Sequence, residues 1–112
     1  MESTRQQKVA RLLQKELADI FQKRNHELGA GALITVTVVR VSPDLSFARV
    51  YLSIFPVHHK EVFLQRIRDR VKEIRRDLGL KVRNQLRIVP ELAFYIDDSL
   101  DYADKIDKLL KK

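Results

Sequence analysis

Apolar residues recur at helical spacing through the N-terminal part of the chain. Those that form one stripe on a helical projection are Val9, Leu12, Leu13, Leu17, Ile20 and Phe21. Ser3 or Thr4 stands just before the stripe, where a hydroxyl oxygen can accept from N–H groups that have no partner within the first helical turn. The pattern predicts an amphipathic helix over residues 4–24, and Gly29 and Gly31 then interrupt it.

Two runs with the spacing of β-strands follow the glycines. The first, Leu33–Val41, is rich in β-branched residues, and Ser42-Pro43-Asp44-Leu45 after it has the composition of a turn. In the second run, one face carries Ala48, Val50, Leu52 and Ile54, and the other carries Phe47, Arg49, Tyr51 and Ser53. Strands with this alternation bury one face, so we predict an antiparallel hairpin that is covered on one side.

A second helical pattern begins at about His59. Its apolar positions are Phe63, Ile67, Val71, Ile74 and Leu78. Because neither glycine nor proline interrupts residues 59–78, we predict one continuous helix that ends at Gly79, with any bend at that glycine. Residues Lys81 to Gln85 are predicted to form a short third helix.

The remaining residues predict one more strand and one more helix. After Pro90, apolar residues alternate along the strand at Leu92, Phe94 and Ile96. Asp98 or Ser99 can cap a final helix that carries Tyr102, Ile106, Leu109 and Leu110. The predicted order is α-β-β-α-α-β-α. Short strands beside segregated helices indicate an α+β domain whose helices cover one face of the sheet.

Length and composition narrow the class of protein. A chain of 112 residues predicts a single domain over residues 1–112. The absence of cysteine excludes a disulfide scaffold, thiolate metal sites and thiol catalysis. The longest apolar run, Val36 to Val39, is too short to span a membrane, and the polar start of the chain has no apolar signal core. We therefore expect a cytoplasmic protein.

The formal charge of +7 is concentrated in two segments. Residues 60–87 hold ten basic and four acidic side chains, and residues 1–25 hold six basic and three acidic ones. Basic clusters indicate a polyanionic partner, with nucleic acid first and an anionic membrane surface second. A solvated surface without a partner is the plainer alternative. The membrane surface is the least favoured, because the outer face of the charged helix lacks large apolar residues.

A helical projection of residues 60–78 separates the charges. One flank carries Arg68, Lys72, Arg75 and Arg76, and the opposite flank carries Asp69, Glu73 and Asp77, with Arg66 and Arg70 within one turn. Like charges four residues apart cost about 0.2–0.5 kcal/mol each, and a polyanion would relieve them. The candidate nucleic-acid-binding residues are Arg68, Lys72, Arg75, Arg76, Lys81, Arg83 and Arg87, supported in the first helix by Arg5, Lys8, Arg11 and Lys15.

No pattern in the sequence indicates an enzyme. The chain has no nucleophile–base pairing, and Gly29-Ala30-Gly31 precedes a strand and lacks the Gly-Lys-Ser/Thr of a phosphate loop. His58 and His59 lack further metal ligands, and the aspartates from Asp97 onward lack the spacing of a calcium loop. We expect no catalytic residues, no metal and no cofactor.

Three aromatic residues support an alternative function. Phe47, Tyr51 and Tyr95 are predicted on the open face of the sheet, without the basic-glycine-aromatic signature of an RNA-recognition motif. They could form a protein-interaction surface, in which case the basic charge would serve solubility. The effect of salt distinguishes the two hypotheses, because RNA binding weakens steeply with salt and an apolar contact does not.

Several short motifs together resemble the bacterial ribosome-binding factor A family, from about Arg5 to Asp101. They are Arg5, Lys8 and Val9; Glu16-Leu17; Ile34-Thr35-Val36-Thr37; Val41-Ser42-Pro43-Asp44-Leu45; Ala48-Arg49-Val50-Tyr51; Ile74-Arg75-Arg76-Asp77-Leu78-Gly79; and Leu86-Arg87-Ile88-Val89-Pro90-Glu91-Leu92-Ala93-Phe94.

The resemblance implies a KH-like fold of the type with order α-β-β-α-α-β. It also implies a monomeric assembly factor that binds the free small (30S) ribosomal subunit, assists late maturation of 16S rRNA near its 5′ end and has a role in cold adaptation. Family members usually kink between their second and third helices at an Ala-x-Gly. The matching positions here are Arg70-Val71-Lys72, without glycine, which is why we place any bend at Gly79 instead.

Overall fold

The computed structural model describes residues 2–28, 32–55 and 59–97. Its elements are α1 (Thr4–Lys23), α2 (Asn25–Leu28), β1 (Leu33–Val41), β2 (Phe47–Phe55), α3 (Lys60–Asp69), α4 (Val71–Val82) and β3 (Glu91–Ile96). Apart from the four-residue α2, this is the order expected for the KH-like α+β fold. The glycine loop at 29–31, His58 and the helix predicted after Asp98 or Ser99 lie outside the described residues.

The three strands form one sheet with β2 at its centre. The predicted hairpin is confirmed: β1 pairs antiparallel with β2, with a shift in register between Val36 and Val38. Strand β3 pairs in parallel with the other edge of β2, opposite residues Phe47 to Leu52. The β2 residues predicted to face the core are buried, namely Ala48, Val50, Leu52 and Ile54. The described helices therefore cover one face of the sheet, and within the described residues the other face is open.

Two glutamines fix α1 over β1. Ser3 caps the helix, as predicted, through a capping box in which Gln6 N–H donates to Ser3 Oγ and Ser3 N–H donates to Gln6 Oε1. The buried Gln6 amide also donates to the Val41 carbonyl at 2.9 Å. Two turns along, the Gln14 amide lies 3.2 Å from the carbonyls of Val36 and Thr37, at the irregularity in β1. These bonds hold the helix axis along the strand.

The predicted continuous helix over residues 59–78 is wrong. Helix α3 ends at Asp69 and α4 begins at Val71, with Arg70 between them at φ −109° and ψ 16°. That conformation lies in the bridge region, which is sterically allowed for residues with a side chain, so the break needs no glycine. The buried residues on the two sides of the break are Leu64 and Ile67 in α3 and Ile74, Leu78 and Val82 in α4. The break thus lets both apolar stripes reach one core.

Gly79 does not end the helix. Helix α4 runs through it to Val82, and residues 83–85 form a turn where a third helix was predicted over Lys81 to Gln85. A Cβ atom at position 79 would lie 3.4 Å from Val89 Cγ2. That distance is an ordinary van der Waals contact, so a small side chain would fit here, and the glycine marks neither the end of the helix nor a required close approach.

Candidate nucleic-acid interface

Helices α1 and α4 run antiparallel on the covered face of the sheet. Arg24, at the end of α1, contacts Asp77 in α4, whereas Asp19, one turn earlier in α1, contacts Lys81, one turn later in α4. The start of α1 consequently lies beside the chain that follows α4, and Arg5 and Arg87 line the same cleft. This arrangement brings the two basic segments of the sequence together on one side of the molecule.

The flank of α4 that faces α1 is neutralised by arginines from other elements. Arg24 Nε donates to Asp77 Oδ2 at 2.7 Å, and its NH1 atom lies 3.0 Å from Glu27 Oε2 and 3.4 Å from Glu73 Oε2. The hydrogen bond to Asp77 is the main reason that the pKa of the Arg24 guanidinium is raised above its ordinary value. Arg70, at the helix break, adds contacts of 3.3 Å to Glu27 and 3.4 Å to Glu73.

Lys81 belongs to the same contact between α1 and α4. Its ammonium group donates to Asp19 Oδ2 and lies 3.7 Å from Glu16 Oε2. The hydrogen bonds from Lys81 and from Lys23 hold the pKa of the Asp19 carboxyl below its ordinary value. The same contact with Asp19 raises the pKa of Lys81. A phosphate that approached Lys81 would have to compete with two carboxylates.

Two arginines of the predicted basic flank bind the chain around β3. Arg68 NH2 donates to the Phe94 carbonyl at 2.8 Å. Arg75 donates through Nε to the Pro90 carbonyl at 3.1 Å and through NH2 to the Val89 carbonyl at 2.8 Å. Both guanidinium groups keep further N–H donors, but their positions are set by the backbone that they hold.

The cations on the outer side of α4 have no such partners among the described residues. Spacings of four and seven residues place Lys72, Arg76 and Arg83 on one side of the helix and its cap, and all three are exposed. We call these three residues the outer ridge. Within residues 2–28, 32–55 and 59–97, no hydrogen bond or ion pair joins them to another side chain. The same holds for four further exposed cations, which continue the basic surface towards the start of α1: Arg5, Lys8, Arg11 and Arg87.

The structure therefore divides the candidate RNA-binding residues into two groups. Eight of them, Lys15 in the first helix included, are exposed and without a partner in the described chain, and three are engaged: Arg68, Arg75 and Lys81. The sequence analysis missed Arg24, which neutralises the acidic flank of α4 from 49 and 53 residues away. No local pattern could have indicated a contact over that separation.

The open face of the sheet has a different chemistry. Tyr51 and Tyr95 pack with ring centroids 5.6 Å apart and an interplanar angle of 30°. Towards one end of the sheet, Leu33 and Phe55 pair across the strands and are 64% and 68% exposed. Two arginines, Arg40 and Arg49, pair across the same strands further along. Among the described helices, none is long and apolar enough to cross a bilayer.

Comparisons with known proteins agree on one family. A family model described as Ribosome-binding factor A matches residues 5–110. The ribosome-binding factor A of Cytophaga hutchinsonii is 52% identical over 112 residues, which cover 100% of this chain and 84% of the relative. That of Chlorobaculum parvum is 44% identical over 110 residues, which cover 97% of this chain and 90% of the relative.

Solved structures show the same relationship. The crystal structure of ribosome-binding factor A from Thermus thermophilus matches with a TM-score of 0.69 and 26% identity, over 81% of this chain and 94% of that one. A homology model of the Thermus thermophilus protein, fitted into a cryo-electron microscopy map of a 30S complex, matches with a TM-score of 0.62 and 27% identity, over 78% of this chain and 89% of that one.

Proposed function

Because the chain belongs to the ribosome-binding factor A family, we propose that it binds the free small (30S) ribosomal subunit and assists a late step in maturation of 16S rRNA near its 5′ end. The match over residues 5–110 and the structural relative fitted into the map of a 30S complex support this proposal. The protein acts as a cytoplasmic monomer, by binding rather than by catalysis, and supports ribosome assembly in the cold.

The outer ridge is the observation that carries the RNA-binding part of the proposal. Lys72 and Arg76 are like charges four residues apart, and no acidic side chain in the described chain neutralises either. Their repulsion costs the isolated protein a few tenths of a kcal/mol, and phosphate groups would remove that cost. Each phosphate contact also releases counterions, which favours binding at low salt. RNA phosphates thus supply the negative charge that the described chain does not place on this side of α4.

The proposed surface extends from the outer ridge to the first helix. Arg83 and Arg87 lead from the end of α4 towards Arg5 and Lys8, with Arg11 one turn further along α1. Contacts of these side chains with phosphates would fix the position of the protein on the subunit without reading sequence. Arg68, Arg75 and Lys81 contribute less, because each already holds a carbonyl or carboxylate.

Sedimentation with purified ribosomal particles tests the binding partner. The protein should pellet with free 30S subunits, and the logarithm of its affinity should fall linearly with the logarithm of the salt concentration. A slope near zero would contradict binding through phosphates. Equal binding to 50S subunits would contradict specificity for the small subunit.

Measurement of 16S rRNA ends tests the role in maturation. In cells that lack this protein, precursor 16S rRNA with an unprocessed 5′ end should accumulate, most strongly at low temperature. Expression of the wild-type chain should remove the precursor, whereas the double variant Lys72→Glu/Arg76→Glu should not. The matched control, Arg40→Glu/Arg49→Glu, makes the same change in charge on the open face of the sheet and should restore maturation. Primer extension that found no precursor in these cells would contradict the proposed role.

A protein-interaction surface on the open face of the sheet is the second candidate. The observation that favours it is the cross-strand pair of Leu33 and Phe55, which leaves two large apolar side chains mostly exposed. If this face carries the main contact, Phe55→Ser should abolish sedimentation with the subunit, and salt should have little effect on the wild type.

A further inference from the structure

A cleft lies at the end of the domain where α1, the β1–β2 turn and the segment before β3 meet. Its wall includes Arg5 and Val9 from α1, Leu45 from the turn, and Arg87 and Ile88 from the chain after α4. The cleft has a volume of about 220 Å³, below the roughly 300–1,000 Å³ of sites for drug-sized ligands. A group the size of a single nucleobase is therefore the appropriate occupant to consider.

The lining of the cleft combines an apolar surface with two cations. Val9, Leu45 and Leu86 are partly or fully buried and pack with the core, whereas Ile88 is 74% exposed at the rim. Arg5 and Arg87 are exposed and have no partner in the described parts of the chain. Guanidinium groups can stack on the face of a base and can also pair with phosphate, so this pairing of surfaces suits an unstacked nucleotide.

Asp44 supplies a hydrogen-bond acceptor on the same wall. Its Oδ1 atom accepts from Ser42 Oγ at 2.7 Å, Ser46 Oγ at 2.7 Å and Ser46 N–H at 3.1 Å. These bonds, led by the one from Ser42, lower the pKa of the Asp44 carboxyl, which keeps it ionised. The Oδ2 atom has no partner in the described chain. One oxygen is thus fixed to the turn, and the other can accept a bond from a ligand.

We propose that this cleft binds one unstacked nucleotide of single-stranded RNA, with its base against the apolar wall, the phosphates on either side held by Arg5 and Arg87, and an exocyclic amino group donating to Asp44 Oδ2. The inference rests on the proposed function and goes beyond it, because it adds base selection to a surface that otherwise contacts phosphate. Adenine, cytosine and guanine carry an exocyclic amino group, and uracil does not. The cleft should therefore discriminate against uracil.

The test measures fluorescence anisotropy with labelled RNA heptamers that contain six uridines and one variable central base. Heptamers with a central adenine, cytosine or guanine should bind about tenfold more tightly than the all-uridine heptamer, as expected for one hydrogen bond to a charged group. The double variant Arg5→Ala/Arg87→Ala should bind all four weakly. Equal affinity of the wild type for all four heptamers would overturn the proposal.

The variant Asp44→Asn gives the sharpest result. Asparagine keeps the carbonyl oxygen that accepts from Ser42 and Ser46 and replaces Oδ2 with an amino group, which can donate to a carbonyl of uracil. The discrimination against uracil should therefore be lost, and adenine, which has an exocyclic amino group but no carbonyl, should now bind less tightly than uracil. Loss of the negative charge alone would raise the affinity for all four heptamers by one common factor, and that outcome would overturn the proposal.

Two controls separate this proposal from the proposed function. Glu91→Gln removes an exposed carboxylate close by that does not line the cleft, and it should leave the order of preference unchanged. Sedimentation with 30S subunits measures the outer ridge independently of the base in the cleft. Salt-dependent 30S binding without discrimination among heptamers would overturn the cleft alone. Discrimination without 30S binding would overturn the proposed function and leave the cleft supported.

Discussion

Both sides of α4 carry basic residues, but those on one side are bound to acceptors within the described chain and those on the other side are not. On the sides that face α1 and β3, Lys81 and Arg75 each hold acceptors from another part of the chain, and Arg24 reaches across to Asp77. On the outer side, Lys72 and Arg76 hold none in the described chain. The inner cations fasten the helical layer to its surroundings, and the outer ones remain available to the proposed RNA partner.

The comparison teaches that the neighbours of a cation, rather than its residue type, decide whether it is bound within the fold or is available to the proposed interface. Arg75 and Arg76 are adjacent in sequence, yet the side chain of Arg75 is bound to two backbone carbonyls and that of Arg76 is exposed. The two groups should respond to different measurements. Inner variants should change the free energy of unfolding, and outer variants should change affinity for the subunit.

Charge reversal on the outer ridge should have the largest effect. Lys72→Glu/Arg76→Glu should weaken binding to 30S subunits roughly 40-fold at 0.1 M salt and reduce the magnitude of the log–log salt slope by about 1.4–1.8, because two phosphate contacts are lost. Its free energy of unfolding should stay within about 0.5 kcal/mol of wild type. Sedimentation over a salt series compares it with Arg40→Glu/Arg49→Glu. A larger loss in that control would place the RNA on the open face of the sheet.

Removal of Arg24 should have the next largest effect, and that effect should be a loss of free energy of unfolding. Arg24→Met should cost about 1–2 kcal/mol, because three carboxylates lose their shared half-buried partner. Urea denaturation at neutral pH gives the value, and added salt should reduce it by screening the repulsion among the carboxylates. Arg76→Met is the matched control and should change stability by less than about 0.5 kcal/mol. A cost that did not depend on salt would argue against repulsion as its cause.

Single variants of the adjacent residues Arg75 and Arg76 test the comparison one residue at a time. Arg75→Ala should lower the free energy of unfolding by about 1 kcal/mol, because two carbonyls next to β3 lose a charged donor. Arg76→Ala should hardly change stability but should reduce the salt slope of 30S binding by about 0.7–0.9. The two variants are to be measured by urea denaturation and by sedimentation. If Arg75→Ala changed the slope more than Arg76→Ala, the division into inner and outer cations would be wrong.

Removal of the contact between Lys81 and Asp19 should have the smallest effect on stability, and this effect should depend on pH. Because the pKa of Asp19 is lowered in the folded protein, the contact stabilises the fold above the ordinary carboxyl value of 3.8. The contribution is lost as pH falls through the lowered pKa. The difference in stability between wild type and Lys81→Met should therefore be present at pH 7 and shrink in acid, as thermal unfolding at several pH values can show. A difference that grew in acid would have the wrong sign.

Much of the fold could be predicted because the periodic spacing of apolar residues indicates each helix and strand locally. The alternation of Val50 and Leu52 with Tyr51 gave the buried face of β2, and Ser3 marked the start of α1. The break at Arg70 could not be predicted in this way. Its backbone is allowed for residues other than proline, so packing of α3 and α4 on a common core decides its place, and no residue type marks it.

The candidate site likewise has one part that local spacing predicts and another that depends on contacts between residues distant in sequence. The spacing of Lys72 and Arg76 is visible in sequence, and their lack of neutralising partners in the described chain agrees with the helical projection. The partners of Arg68 and Lys81 lie 26 and 62 residues away, beyond any periodic pattern. The projection also assumed one helix, and after the break at Arg70 the position of Arg68 no longer follows from that of Lys72.

The parallel pairing of β2 with β3 sets an order for the folding of the chain. The hairpin of β1 and β2 needs only contacts between two segments joined by a short turn, whereas β3 can pair only after the chain between Phe55 and Glu91 has closed a long loop. Closing that loop costs entropy before any pairing compensates for it, so this step should govern the folding rate. Arg68 and Arg75, which hold the chain around β3, should form their bonds late. Their removal should therefore speed unfolding and leave the folding rate nearly unchanged.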